Sequence, residues 1–180
     1  MINDFKVELF SIPVWGFVLQ KEQYHSIDYI QFFEELENEI SSTQIINNLH
    51  KEHLFKELID NFSQIANEIA EFEQFPKLCL SSMWGNVDYK GTPRKKHIHK
   101  GVLSGIFNLQ TPAKCGRLVF VNPIISDDKS QFIKKPNFFI DVSPLSCIFF
   151  PSWLEYYFEP NLSDDKRIFT SFDFDIEGNL

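Results

Sequence analysis

His97-Ile98-His99-Lys100-Gly101-Val102-Leu103-Ser104-Gly105-Ile106-Phe107 carries two imidazoles, two residues apart, into an apolar strand. Side chains at i and i+2 of a strand share a face. The stretch therefore predicts His97 and His99 on one side of the backbone, within reach of one divalent metal ion. Arg94, Lys95, Lys96 and Lys100 surround them, so a chain of formal charge −8 is basic at this one spot. Such a patch reads either as a solvated loop or as a site that attracts an anionic ligand. The overall acidity argues against non-specific nucleic-acid binding.

Outward from this strand, the sequence from Leu78 on is a series of short apolar runs separated by turn residues. They are LCLSSMWGNV, VLSGIFNL, RLVFV, NFFIDV, LSCIFF, WLEYYF and RIFTSFDFDI, with turns at Asn122-Pro123, Asp127-Asp128 and Ser163-Asp164-Asp165. Strands so spaced predict an antiparallel sandwich or barrel. The N-terminal part differs. Leu9 to Leu19 reads as a strand broken by Pro13. A helix follows from Ser26 as a candidate N-cap, with Ile27, Ile30, Phe33, Leu36 and Ile40 on one face. After a polar connector, Ser41 to Asn48, a second helix is expected from about Lys51 to Phe72, with Leu54, Leu58, Phe62, Ile65 and Ile69 as its stripe. The expectation is one α+β domain over 1–180, helical over about 26–72 and β over about 78–176, with the helices packed on the β core.

Composition agrees with a packed core: 43% apolar residues, 23% charged and 20 phenylalanines, rings that suit a β-sandwich interior. With 7 glycines and neither a GxGxxG nor a P-loop, phosphate-cradling chemistry is not indicated. Cys79, Cys115 and Cys147 are odd in number and widely spaced, which reads as buried thiols of a reducing compartment. Met1 leads into Asn3, Asp4 and Lys6 without an apolar region, so no signal peptide is expected. No run approaches the ~18 apolar residues of a membrane span. A cytoplasmic protein is the expectation, in a host cytoplasm or a virion if phage-encoded.

An HxH on a strand is commonly an ordinary core or surface pair, and three metal-binding classes also use it. A cupin would want a glycine six residues before it, where Gly91 stands, and a glutamate shortly after, where Leu103 and Ser104 stand. A zinc hydrolase would want further His or Asp ligands, but His25, His50 and His53 lie in or beside the helices. A non-haem iron site needs two histidines and one further ligand on one face of the metal.

The ordered series of motifs resembles a family of iron(II)/2-oxoglutarate-dependent oxygenases of bacteria and their phages. LFSIPVW resembles that family's opening strand, and Trp84-Gly85-Asn86 its W-x-N step. His97-Ile98-His99 with Leu103-Ser104-Gly105 is similar to its HxH and LSG segment, with a spacing one residue shorter. Gly116-Arg117-Leu118-Val119-Phe120 and Asn122-Pro123 are similar to its G-x-L-x-F-x-x-P. Phe149-Phe150-Pro151-Ser152-Trp153-Leu154, Pro160 and Arg167-Ile168 complete the series. The resemblance implies a double-stranded β-helix, a jelly-roll relative. It implies iron(II) held by His97 and His99, and 2-oxoglutarate gripped by Arg167, with Trp84, Asn86 and Tyr89 lining the entrance.

Two positions depart from the pattern. Where the family places its distal metal histidine this chain has Tyr156, and where it places a serine after R-I the chain has Phe169. A neutral phenol, with a reference pKa near ~10, is a poor ligand for iron(II). A phenolate suits a ferric centre. Tyr156 therefore reads either as a third ligand or as a core tyrosine bonded to a histidine of a metal-free pocket. Phe169 shares a strand face with Arg167 and is expected to shrink the cosubstrate pocket. Two functions follow. The first is a dioxygenase that couples decarboxylation of 2-oxoglutarate to hydroxylation of an unidentified substrate. The second is a catalytically degenerate β-helix serving as a binding or structural, phage-associated protein. No motif encodes an oligomeric state, so a homo-oligomer or larger assembly stays open.

Overall fold

The computed structural model describes residues 11–19, 26–37, 45–123 and 137–178. Among the described residues nine strands and two α-helices run in the order β1 (Trp15–Val18), α1 (Ser26–Glu37), β2 (Ile45–Ile46), α2 (Lys56–Phe72), β3 (Leu78–Asp88), β4 (Leu103–Gln110), β5 (Leu118–Val121), β6 (Asn137–Ile140), β7 (Ser146–Pro151), β8 (Tyr156–Phe158) and β9 (Arg167–Ile176). Six strands form one antiparallel sheet, in the order β1-β7-β4-β9-β3-β2, and three form a second, β6-β5-β8. The chain crosses between them, since β4, β7 and β9 lie in the large sheet and β5, β6 and β8 in the small one. The result is an α+β, jelly-roll-like core. Among the described residues no helix is long and apolar enough to cross a membrane.

Period-2 alternation splits the large sheet into two faces. On β9, Ile168, Phe172 and Phe174 join the core beneath the helices, whereas Phe169 joins the core between the sheets. On β7, Cys147 and Phe149 face the helices while Ile148 and Phe150 face the small sheet. The helix-side core centres on Phe62 of α2, whose ring stacks on Phe172 at 4.5 Å and meets Phe107 edge-on at 5.4 Å. Burying such a ring stabilises by about 1.5–3 kcal/mol relative to leaving it in water. Two glycines admit these rings. A Cβ on Gly105 would stand 2.1 Å from the Phe172 ring, and one on Gly85 would stand 2.1 Å from the Phe33 ring.

Several local expectations change. Residues 49–55 form two 3-10 turns, Leu49–Lys51 and His53–Phe55, so α2 begins at Lys56 rather than Lys51. In α1, Ile27 is 75% exposed, and Tyr29 and Phe33 are the buried residues of its apolar face. The connector before α2 holds a short strand, Ile45–Ile46, paired with Gly85 and Asn86. Trp153 to Glu155 turn rather than extend, leaving only Tyr156–Phe158 as strand. Cys115 and Cys147 are buried thiols, as read, but Cys79 is only half-buried. Leu9, Phe10, His25, Ile40 and the Asp127-Asp128 turn lie outside the described residues, as does the side chain of Ser26.

Candidate metal centre and its cavity

His97 and His99 sit ahead of β4 rather than within it. His97 forms an isolated antiparallel bridge with Tyr156, by reciprocal backbone hydrogen bonds of 3.1 Å. The His99 amide donates to the Ser152 carbonyl at 2.9 Å. These bonds lay the HxH along β8, beside the small sheet. Its two rings stand 5.5 Å apart at centroids, on one side of the backbone as the i, i+2 spacing demands. Tyr156 joins them, its ring 4.5 Å from that of His97 and 5.2 Å from that of His99.

Both imidazoles are oriented through Nδ1. That of His97 lies 3.0 Å from the Lys95 carbonyl oxygen, an acceptor only, so Nδ1 carries the proton and Nε2 the lone pair. That of His99 lies 2.7 Å from Oδ1 of Asp173, which also accepts from the Ser104 hydroxyl at 2.6 Å. The Ser152 hydroxyl donates in turn to Ser104 at 2.7 Å. With Nδ1–H given to the carboxylate, Nε2 of His99 accepts from the Tyr156 hydroxyl at 2.7 Å. A carbonyl or carboxylate behind each histidine is the arrangement that orients metal-binding imidazoles and raises their basicity. Burial pushes the His97 pKa down, and the neighbouring His99 and Arg94 lower it further, so its ring is neutral at pH 7.

The fit to a metal divides by residue. Ligands bound cis on one ion at ~2.1 Å lie ~3 Å apart. The 2.7 Å from His99 Nε2 to the Tyr156 oxygen is close to that, and an imidazole whose Nδ1 is tied to an acceptor is chemically suited to a divalent ion. The phenol fits less well. Burial holds the Tyr156 pKa well above its ordinary value, only partly offset by a bond to Ser171, so the group meets a metal as a neutral donor. Among the described residues no group of three His, Cys, Asp or Glu side chains surrounds a metal position.

Beside the histidines lies a cavity of about 370 Å³ lined by Trp84, Asn86, Pro93, Arg94, Lys95, His97, Tyr156, Phe158, Phe169 and Ser171. Asn86 reaches it from β3 and donates to the Ser171 hydroxyl at 3.3 Å. Tyr89 is not among the lining residues. Phe169 lines the cavity, and its ring packs 4.6 Å from Phe158.

Arg167 is placed differently from the sequence expectation. Its guanidinium is fully buried and is not part of the cavity lining. Nε donates to Oδ2 of Asp88 at 3.1 Å, Nη2 donates to the same oxygen, and Nη1 donates to the carbonyls of Cys115 and Glu159. The guanidinium carbon lies 4.3 Å from the Phe158 centroid and 5.8 Å from that of Phe169, behind the two rings that wall the cavity. The other oxygen of Asp88 accepts from Arg94, by Nε at 2.8 Å and by Nη2. Sequence reading did not single out Asp88 or Asp173. The signal was present: Asp88 follows Asn86 by two on one strand, and Arg167, Ser171 and Asp173 fall at even spacing on another.

A family model described as "Putative 2OG-Fe(II) oxygenase" matches residues 82–173. No curated protein matches the sequence. Solved structures share the fold. SnoK, a non-heme alpha ketoglutarate dependent carbocyclase from nogalamycin biosynthesis, superposes with TM-score 0.70 at 14% identity, covering 91% of this chain and 79% of its own. HygX from Streptomyces hygroscopicus, with nickel and 2-oxoglutarate bound, gives 0.70 at 10% identity, covering 93% and 84%. A Pseudomonas putida prolyl-4-hydroxylase gives 0.64 at 12% identity, covering 93% and 95%. The matched region holds both histidines, the cavity residues and the strands that carry them, and the chain belongs to the 2OG-Fe(II) oxygenase family that this model describes.

Proposed function

We propose that the chain is a metal-dependent 2-oxoglutarate oxygenase with a modified metal site. The supporting observation is the pair of histidines whose Nδ1 atoms are both tied to acceptors, so that Nε2 of His99 meets Tyr156 while His97 and Tyr156 line one cavity. Two imidazoles so held are oriented as metal ligands are, whereas an ordinary core pair needs no such orientation at both rings. The strand order supports the double-stranded β-helix. β3, β9, β4 and β7 adjoin in one sheet, and the HxH bridge, β8, β5 and β6 adjoin in the other.

In this reading His97 and His99 hold iron(II), with Tyr156 as a neutral third neighbour. The bound metal, with 2-oxoglutarate as cosubstrate, would supply the oxidising power for hydroxylating a second substrate. The chain's own residues do the rest. Asp173 and the Lys95 carbonyl keep the imidazole tautomers fixed. Asn86 and Ser171 present polar atoms to the cavity, and Phe158 and Phe169 exclude water from its wall. The carbocyclase and hydroxylase among the fold relatives act on different substrates, so the fold leaves the prime substrate open.

The test is anaerobic titration of purified protein with iron(II) and 2-oxoglutarate, following the visible absorption of an iron-bound 2-oxo acid. Wild type should give a weak band, His99→Ala none, and Tyr156→His a stronger one. No band in wild type or in Tyr156→His, with no succinate formed in air, would leave the degenerate binding protein as the function.

A further inference from the structure

Asp88 is one carboxylate between two guanidiniums. Asp88 and Arg167 have fully buried side chains, and that of Arg94 is 16% exposed. Within this triad the charges sum to one net positive charge, and Asp173, the other buried carboxylate of the same face, is bonded instead to His99 and Ser104. A partly buried cation that shares its only carboxylate favours a second counter-ion. Arg167 cannot meet one, because its donors face Asp88 and two backbone carbonyls and it sits behind Phe158 and Phe169. Arg94 can. It lines the cavity, it spends Nε and Nη2 on Asp88, and Nη1 has no hydrogen-bond partner among the described residues. Its guanidinium carbon lies 5.4 Å from the Phe169 centroid, and Lys95 lines the same cavity.

We infer that Arg94, rather than Arg167, is the cation that binds the carboxylate of an anionic ligand in this cavity, with Asp88 aiming it and Arg167 buttressing Asp88. Phe169 fits this exchange. A ring at that position closes the route from the cavity to Arg167, while its face supports the guanidinium of Arg94. The identity of the ligand as 2-oxoglutarate rests on the proposed function; the anion site itself does not require the metal.

The experiment is titration of 2-oxoglutarate, followed by tryptophan fluorescence because Trp84 lines the cavity, into metal-free and nickel-loaded protein. Losing one charge-assisted contact should weaken binding about 10- to 100-fold in Arg94→Gln, and Arg94→Lys should retain part of the affinity. Arg94→Gln leaves Asp88 and Arg167 as a neutral pair, so its melting temperature should match or exceed that of wild type. The double variant Asp88→Asn/Arg167→Met keeps the Arg94 cation but not its aim, and should bind more weakly than wild type yet more tightly than Arg94→Gln. Wild-type affinity in Arg94→Gln overturns the inference, as does binding lost in the double variant but kept in Arg94→Gln, or no binding to wild type in either form. If nickel fails to bind while Arg94-dependent 2-oxoglutarate binding persists, the anion site stands and the metal reading falls. If nickel binds and Arg94→Gln takes up 2-oxoglutarate normally, the metal reading stands and this inference falls.

Discussion

The two faces of the six-stranded sheet come from the same strands, yet they are held together by different forces. The helix-facing side is almost wholly carbon: Phe107, Phe149 and Phe172 close around Phe62, with Phe174 packed on the last two and glycines where rings approach the backbone. The side facing the small sheet carries Asn86, Asp88, Ser104, Arg167, Ser171 and Asp173, all buried. Dispersion and water exclusion stabilise the first face and tolerate no missing volume. The second has an apolar core of its own, around Ile148, Phe150 and Phe169, but adds paired charges and short hydrogen bonds that tolerate no missing partner. The lesson is that one set of strands can serve both as foundation and as site, because alternation delivers consecutive residues to opposite faces.

The contrast can be broken most severely at Asp88. Asp88→Asn leaves two guanidiniums without their carboxylate and should lower stability by about 3–5 kcal/mol in denaturant unfolding. Removing Arg167 as well, as in Asp88→Asn/Arg167→Met, takes away the fully buried guanidinium and should recover part of that loss, with Arg94 still lacking its carboxylate. A single variant within about 1 kcal/mol of wild type would mean that ion pairing does not hold this face. On the helix side, Gly105→Ala places a methyl into the Phe172 ring, and overpacking of this kind should lower stability by about 1–3 kcal/mol. No second substitution of a charge should rescue it, since the fault is volume.

The smallest effect sharpens the comparison with an ion pair outside both faces. Arg117 donates to Glu159 at 2.7 and 2.8 Å, with both side chains partly exposed. Its hydrogen bonds hold the Glu159 carboxyl below its ordinary value of 4.5. The folded state thus binds that proton less tightly than the unfolded chain. The stabilisation is present above the ordinary value and is lost as pH falls through the lowered one. After solvent screening it is worth at most about 1 kcal/mol. Glu159→Gln should show that small loss at neutral pH and no difference from wild type once the carboxyl is protonated. A loss as large as that of Asp88→Asn would show that exposure does not separate the two pairs.

Much of this was legible in one dimension. RIFTSFDFDI became β9 with the boundaries of its apolar run, Arg167–Ile176, because Ser171 to Ile176 alternate polar and apolar, a pattern that suits a strand in a two-faced sheet. The HxH spacing brought the two rings to one side. Ile27 misled, because a helical period also fits residues on the edge of the apolar face; its neighbours Tyr29 and Phe33 took the contact. Arg167 was read as the cation gripping 2-oxoglutarate, not as one already partnered inside the protein. Its carboxylate stands 79 residues earlier, and strand pairing alone sets Asp88 opposite it.

Residue order along the chain therefore determined the strand and helix content, the apolar faces and the pair of imidazoles, since propensity and periodicity act between near neighbours. Tertiary structure alone decided which groups share a charge. Asp173 behind His99, Tyr156 before it, and Asp88 between Arg94 and Arg167 are meetings of distant segments. Electrostatic energy depends on separation in space and on burial, and neither is written in the spacing of residues along a chain.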